Sequence, residues 1–449
     1  MSYNRSMHVS RNECVYCRDK LPFELPVELL EALTERRVVV FAGAGVGTER
    51  KHVLKYSFYD EIAAELRCED SSLPFPDLMS RFSKGPNGRA RLLRRIQERL
   101  MRVRSFPETY RAATDFHREL STLYLIDTVV TTNWDDFFEV ECGAVPFTVP
   151  QDLPFWRVAP RRVLKIHGSS SNLGTIVVTR EDYEVCAEAL KTGALGSVLK
   201  TLLSTMIPVY VGYSFRDDDF LHVHALLKVE MGELFPQGYA ITTDAESLDR
   251  LSEIGLVPIQ TDATHFLHVI KDRLVEDDML LPDSRFKILE ALMDYVVEEH
   301  HVAAGLDPKR APAIVYALMF QDGVIHALER AVALKKTGEY SDSRRMRALV
   351  ARYRELRAER WEQNAFSDVA YIEGYIAGLE QTLVELTPGT PFKFPLYYCL
   401  QSNKRLASLE QFLQHIGDLQ SENPQLESHA RDIAESLGNR IVIHHQPWL

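Results

Sequence analysis

Four short segments of the chain put small, amide, imidazole and carboxylate groups where a sheet would deliver them to one edge. Residues 37–47 read RVVVFAGAGVG, an apolar run entering Gly43, Gly45 and Gly47. A buried strand that ends in glycines lets the next helix begin with its backbone N–H groups uncovered, which suits a pyrophosphate. The same spacing also serves a purely steric turn, because position 48 is Thr48 and the dinucleotide fingerprint is incomplete. Three later β-favouring runs end in Asn133-Trp134-Asp135-Asp136, in His167-Gly168 and in Gly212-Tyr213-Ser214. Ligands of open α/β sheets sit at the carboxyl ends of strands, so these side chains are well placed for chemistry. An amide both donates and accepts, and an imidazole titrates near neutrality. Asn and Asp are equally good turn formers, and a histidine beside glycine is commonly structural. Asp217, Asp218 and Asp219 are better suited to capping the helix that follows than to holding a cation, since three consecutive acids cannot all face one ion.

The elements that must carry these residues alternate. Strands are expected at 38–41, 128–132, 162–166, 207–211, 238–242 and 257–260, with helices at 26–36, 56–66, 220–231 and 245–254 between them. That alternation predicts an α/β fold with a Rossmann-like parallel sheet. SSLPFPD at 71–77 and KGPNG at 84–88 read as turns. RARLLRRIQERLMRVR at 89–104 reads as a basic helix whose Leu92, Leu93, Ile96, Leu100 and Val103 form one apolar stripe, with its arginines on a solvated face or against a phosphate or partner. Beyond about residue 280 the strand pattern stops and helical spacing takes over at 284–300, 311–333, 342–363, 369–386 and 406–416. The expected organisation is a tail at 1–20, an α/β domain at 21–280 that carries the four motifs, and a mainly α-helical C-terminal domain at 281–449 for assembly or regulation.

Composition narrows the function classes. The 449 residues are 45% hydrophobic and 26% charged, which is ordinary for a globular chain with a sizeable core. A net charge of −12 argues against direct nucleic-acid binding. Six scattered cysteines fit reduced thiols, and no apolar run reaches membrane-spanning length, so a cytoplasmic protein is expected. Cys14 and Cys17 have the spacing of half a zinc knuckle without a second pair, and His444 and His445 lack acidic or thiol partners, so no metal site is expected.

The order of motifs, Gly43-Ala44-Gly45, then Thr131-Thr132-Asn133-Trp134-Asp135, then His167-Gly168, then Gly212-Tyr213-Ser214, resembles the sirtuin (silent information regulator) family over about residues 25–275. His117 and VVTREDY at 177–183 are similar to its bacterial anti-phage defence branch. The chain departs from protein-deacylating sirtuins after the first motif, where VGTERKHVLKYSFYDE follows at 46–61 and Gly47 stands in place of the usual serine. It also lacks their two CxxC pairs, since only Cys186 lies between His167 and Gly212, and no zinc is expected.

The resemblance implies NAD+ as substrate and cleavage of its nicotinamide–ribose bond. It implies Asn133 and His167 as catalytic residues, Asp135 on the nicotinamide carboxamide, Gly43, Ala44 and Gly45 at the pyrophosphate, and Gly212 with Ser214 at phosphate and ribose. It further implies a homo-oligomer controlled by a partner ATPase or sensor. Two other functions stay open at this point: an NAD-dependent protein deacylase, and a non-catalytic module that senses ADP-ribose or a related nucleotide.

Overall fold

The computed structural model describes residues 19–68, 70, 73–213, 228–229, 231–335, 338–384, 396–398, 406–422 and 424–436. The chain divides into two compact units, Met1–Asp272 and Arg273–Leu449. In the first, the described elements run α1 (Val27–Thr34), β1 (Val38–Ala42), α2 (Phe58–Glu65), α3 (Phe75–Ser83), α4 (Gly88–Ser105), α5 (Pro107–Ala113) and α6 (Asp115–Ser121). They continue with β2 (Thr128–Thr131), α7 (Phe137–Cys142), β3 (Val145–Phe147), β4 (Arg162–Lys165), α8 (Arg180–Thr192), α9 (Ala194–Thr205) and β5 (Ile207–Val211). After these come β6 (Gly238–Thr242), α10 (Leu248–Glu253), β7 (Leu256–Gln260) and α11 (Ala263–Glu276), which crosses the boundary between the units.

The strands form one seven-stranded parallel sheet in the order β3-β4-β2-β1-β5-β6-β7. The four motif-bearing strands are therefore the contiguous block β4-β2-β1-β5. All five residues of β1 are buried, as a central parallel strand covered on both faces requires. Phe41, Val130, Leu164, Tyr210 and Ala240 form one register row across the sheet, and they pack with Leu190, Leu199 and Leu203 of α8 and α9.

Two local expectations change. Residues 71–77, read as a turn, run into α3, because Pro76 at the first turn of a helix sacrifices no hydrogen bond and presets the helical φ. The short strand β3 was absent from the sequence reading; Pro146 suits it to the sheet edge, where it pairs with β4 alone.

The second unit contains helices α12 (Asp283–Ala304), α13 (Ile314–Leu334), α14 (Ser343–Glu362), α15 (Phe366–Leu383), α16 (Leu409–Glu422) and α17 (Pro424–Ser436). Helix α13 is its centre, buried continuously from Ile314 to Val324. Among the described residues, no helix is long and apolar enough to cross a membrane.

Candidate functional site

The site begins with how the ends of β1 and β5 meet. After Ala42 the backbone makes one turn of 3-10 helix at Ala44–Val46. The Gly43 N–H donates to the Val211 carbonyl at 2.9 Å and the Gly45 N–H to the Gly212 carbonyl at 3.0 Å. A Cβ on Gly43 would lie 2.6 Å from the Gly212 oxygen, and one on Gly45 would lie 2.9 Å from it. Gly212 itself has φ +65°, and its Cβ would fall 2.6 Å from the Val46 nitrogen. Three glycines thus interlock where the strand order reverses between β1 and β5, the position at which open sheets bind ligands. Because the Gly43 and Gly45 N–H groups are engaged with the end of β5 and the glycine that follows it, the first task of these glycines is close approach of the two loops.

Strand β2 joins this arrangement through side chains. The Thr131 hydroxyl donates to the Ala42 carbonyl at 2.7 Å and accepts from the Asn133 N–H at 3.0 Å. The Asn133 amide then donates from Nδ2 to the Gly43 carbonyl at 3.1 Å, leaving its Oδ1 buried and without a hydrogen-bond partner among the described residues. An ideal Cβ on Gly47 would stand 3.5 Å from Asp135 Oδ2 and 3.6 Å from Asn133 Nδ2, so the loop after the glycines abuts both side chains. Asp135 accepts from the Phe137 N–H at 3.2 Å, which anchors the start of α7. Burial pushes the Asp135 carboxyl up from its ordinary value, against the opposing pull of the Lys165 ammonium.

His167 arrives from the neighbouring strand. Thr131 on β2 pairs with Lys165 on β4, so Asn133 and His167 each lie two residues beyond one register pair. His167 is 4% exposed and its ring meets Tyr183 of α8 at 4.9 Å between centroids. Burial lowers its pKa to about 4, which keeps the imidazole neutral at neutral pH. The loop beyond it is tied back to β2 by a 2.7 Å bond from the Ser170 N–H to the Trp134 carbonyl. Gly168 has φ +81° and faces the Thr175 carbonyl so closely that no Cβ fits there.

The basic helix α4 serves the fold around the site. Arg89 pairs with Asp182 and donates to the Ile176 carbonyl at 2.7 Å, supporting the start of α8. Arg99, with a side chain 5% exposed, meets Glu49 at 2.8 Å and Glu61 at 3.0 Å, while Glu49 accepts from the Phe58 N–H. Arg91 and Arg95 pair with Glu65, Arg102 with Glu61 and Arg104 with Asp136. These arginines are thus largely committed to carboxylates of their own unit.

Residues 127–259 match the SIR2-like domain family. Over that span the chain is similar to SIR2-like domains. It is also 28% identical over 212 residues to a protein named NAD(+) hydrolase ThsA from Cytobacillus dafuensis, a match covering 46% of this chain and 41% of that relative. The chain therefore spans well under two thirds of that relative's length.

The structure brings Gly43, Ala44, Gly45, Asn133, Asp135, His167 and Gly212 to the ends of four adjacent strands, the last four of these residues within the span that matches the SIR2-like family. The expectations at Ser214, at Asp217, Asp218 and Asp219, at Cys14 and Cys17 and at His444 and His445 lie outside the described residues. His117 is fully buried against Phe116, Phe137 and Phe138, away from solvent and without a partner for either ring nitrogen among the described residues. Among the described residues, no group of three or more His, Cys, Asp or Glu side chains is arranged to hold a metal ion.

Sequence reasoning missed Lys165, whose side chain is 0% exposed and meets Glu139 at 2.9 Å. The available signal was a lysine inside the otherwise apolar run VLKI. It also missed Tyr183 as the ring packed on His167, and Glu49 as the link between the glycine loop and α4.

Proposed function

We propose that the protein is an NAD+ glycohydrolase that cleaves the nicotinamide–ribose bond to give ADP-ribose and nicotinamide. The observation that carries this reading is the pairing of Asn133 with His167, delivered in register from adjacent strand ends beside an interlocked glycine loop. Asn133 Oδ1, buried and without a hydrogen-bond partner among the described residues, supports it, since a buried acceptor left open costs free energy that a ligand hydroxyl or water would recover. The name of the Cytobacillus dafuensis relative agrees with this chemistry.

NAD+ supplies its own leaving group. As the C1′–N bond breaks, its electron pair neutralises the pyridinium, nicotinamide departs without being protonated, and the ribose carbon takes on oxocarbenium character. Water then adds to that carbon and releases one proton. The protein has to hold the cofactor, exclude stray solvent and orient the water. Asn133 would accept a hydrogen bond from the water through Oδ1, and His167, neutral at neutral pH, would accept the proton that the water releases or polarise a ribose hydroxyl. Asp135 would hold the nicotinamide carboxamide, while Ala44 with its flanking glycines and Gly212 with Ser214 would line the pyrophosphate and ribose.

We further propose residues 281–449 as an assembly or regulatory domain, since unrestrained NAD+ loss would be lethal to the host cell. In that role the protein acts as an oligomeric effector in bacterial antiviral defence, controlled by a partner ATPase or sensor. Deleting the chain after about residue 280 should change the oligomeric state or the control of turnover, and a truncated protein unchanged in both would overturn this assignment.

The deciding experiment mixes the full-length protein with NAD+ alone and follows products by mass-resolved chromatography. Nicotinamide and ADP-ribose appearing without an acyl-lysine peptide support the hydrolase; nicotinamide release only with such a peptide identifies a deacylase. Saturable binding without turnover, repeated with candidate partners present, identifies a sensing module.

A further inference from the structure

Lys165 is the most deeply buried charge near the site, and the hydrolysis scheme gives it no step. It sits on β4 two residues before His167, with its side chain 0% exposed. Its ammonium donates to the Asp135 carbonyl and to Glu139 Oε1, the latter at 2.9 Å, and Glu139 lies on α7. The strand that carries His167 is thereby tied through one charge to the loop and helix that follow Asn133. Backbone pairing between β2 and β4 runs as far as Thr131 and Lys165, with one further bond from the Ile166 N–H to the Thr131 carbonyl. Beyond that point the ammonium and the bond from Ser170 to Trp134 hold the two loops together.

A buried ammonium is retained only where its partners return what desolvation removes. Here one partner is a backbone carbonyl of the candidate site itself. We infer that Lys165 is a positioning residue: its buried ammonium, clamped between the Asp135 carbonyl and Glu139, fixes residues 133–135 against the strand that presents His167. On the NAD-cleaving reading, Asn133 and the imidazole would then be held for the reacting centre with no reorganisation when substrate arrives. The inference relies on the NAD-cleaving reading only for what the clamp serves; the clamp itself is a statement about the loop.

The test must separate positioning from stability. Lys165→Met alone strands Glu139 as a largely buried, uncompensated carboxylate, 17% exposed, and is expected to destabilise the fold. The informative protein is Lys165→Met combined with Glu139→Gln, which removes both charges, since neutral replacement of a buried ion pair commonly leaves stability unchanged or improved. In the full-length double variant the melting temperature should stay near the parental value. Backbone amide hydrogen exchange across residues 133–140 should become faster, kcat for NAD+ should fall on the order of 10- to 100-fold, and the calorimetric affinity for ADP-ribose should hold within about threefold.

Parental exchange across residues 133–140, or parental kcat, overturns the inference. So does a parallel loss of melting temperature and ADP-ribose affinity, which would mark Lys165 as a purely structural charge. If the parent protein cleaves no NAD+ under any condition, the hydrolase reading fails instead, and the exchange measurement alone then decides the clamp.

Discussion

In the sheet unit Gly43, Gly45 and Gly212 stand at strand ends, whereas in the helical unit Gly323, Gly374 and Gly378 stand inside α13 and α15. A Cβ on Gly323 would strike the Tyr371 carbonyl, one on Gly374 would strike the Phe320 carbonyl, and one on Gly378 would come within 2.8 Å of Ala327. Both sets let two backbones approach more closely than any side chain permits. At the strand ends the approach is between loops, and it leaves a buried amide oxygen without a hydrogen-bond partner among the described residues. Between α13 and α15 it closes a helix crossing packed on all sides by Tyr371, Tyr375, Val324 and Leu328. One residue type therefore builds an open junction of loops in the first unit and a closed helix crossing in the second.

The largest expected effects test the open end of that contrast. Asn133→Ala and His167→Ala should each lower NAD+ turnover by about 10²-fold or more while leaving circular dichroism unchanged. A His167→Ala protein with parental turnover would remove the imidazole from the mechanism. The sealed end is tested by Gly374→Ala. At an exposed helix position this change stabilises by up to about 1 kcal/mol. Against the Phe320 carbonyl it should instead destabilise the helical unit by roughly 1–3 kcal/mol, and a melting temperature at or above the parental value would show that the crossing is looser than the structure states.

Acid sensitivity tests the sheet unit next. Burial lowers the pKa of His167 to about 4 and that of His117 to about 3 in the sheet unit. The unfolded chain protonates its imidazoles near about 6.5, so below that pH it binds protons that the native state refuses. The stability contributed by keeping both rings neutral is fully present above about pH 6.5 and is lost as the pH falls through about 4 and then 3. Scanning calorimetry between pH 7 and pH 4 should show a falling melting temperature, and His117→Phe should flatten the slope; an unchanged slope would remove His117 from the account. The smallest effect belongs to α4. Arg91→Ala breaks a half-exposed pair with Glu65 and should cost only about 0.2–1 kcal/mol, measured by urea denaturation.

Much of the sheet was legible because parallel strands buried on both faces write themselves as unbroken β-branched and aromatic runs, as in VVVFA at β1 and IPVYV at β5. Helix α3 was misread because proline and serine are turn formers in isolation, and only the packing of Leu78, Met79 and Phe82 into a cluster with α2 and α4 makes that segment helical. The arginines of α4 were legible as a charged face, yet their partners, among them Asp182 and Asp136, lie far away in sequence and no spacing rule could assign them. The same holds within the site: Asn133 and His167 announce themselves at strand ends, whereas Lys165 looks like an ordinary strand residue until Glu139 folds against it.

By itself the amino-acid order determined six of the seven described strands, in what sequence they come, and which small and polar residues terminate the four that bear motifs, because burial period and turn chemistry act over a few neighbouring residues. Tertiary structure alone decided that β4, β2, β1 and β5 lie side by side, that Asn133 donates to Gly43 while its oxygen stays open, and that Lys165 clamps Asp135. Those outcomes depend on contacts between segments tens to more than a hundred residues apart, where desolvation and hydrogen-bond geometry are set by the assembled sheet rather than by any local stretch of chain.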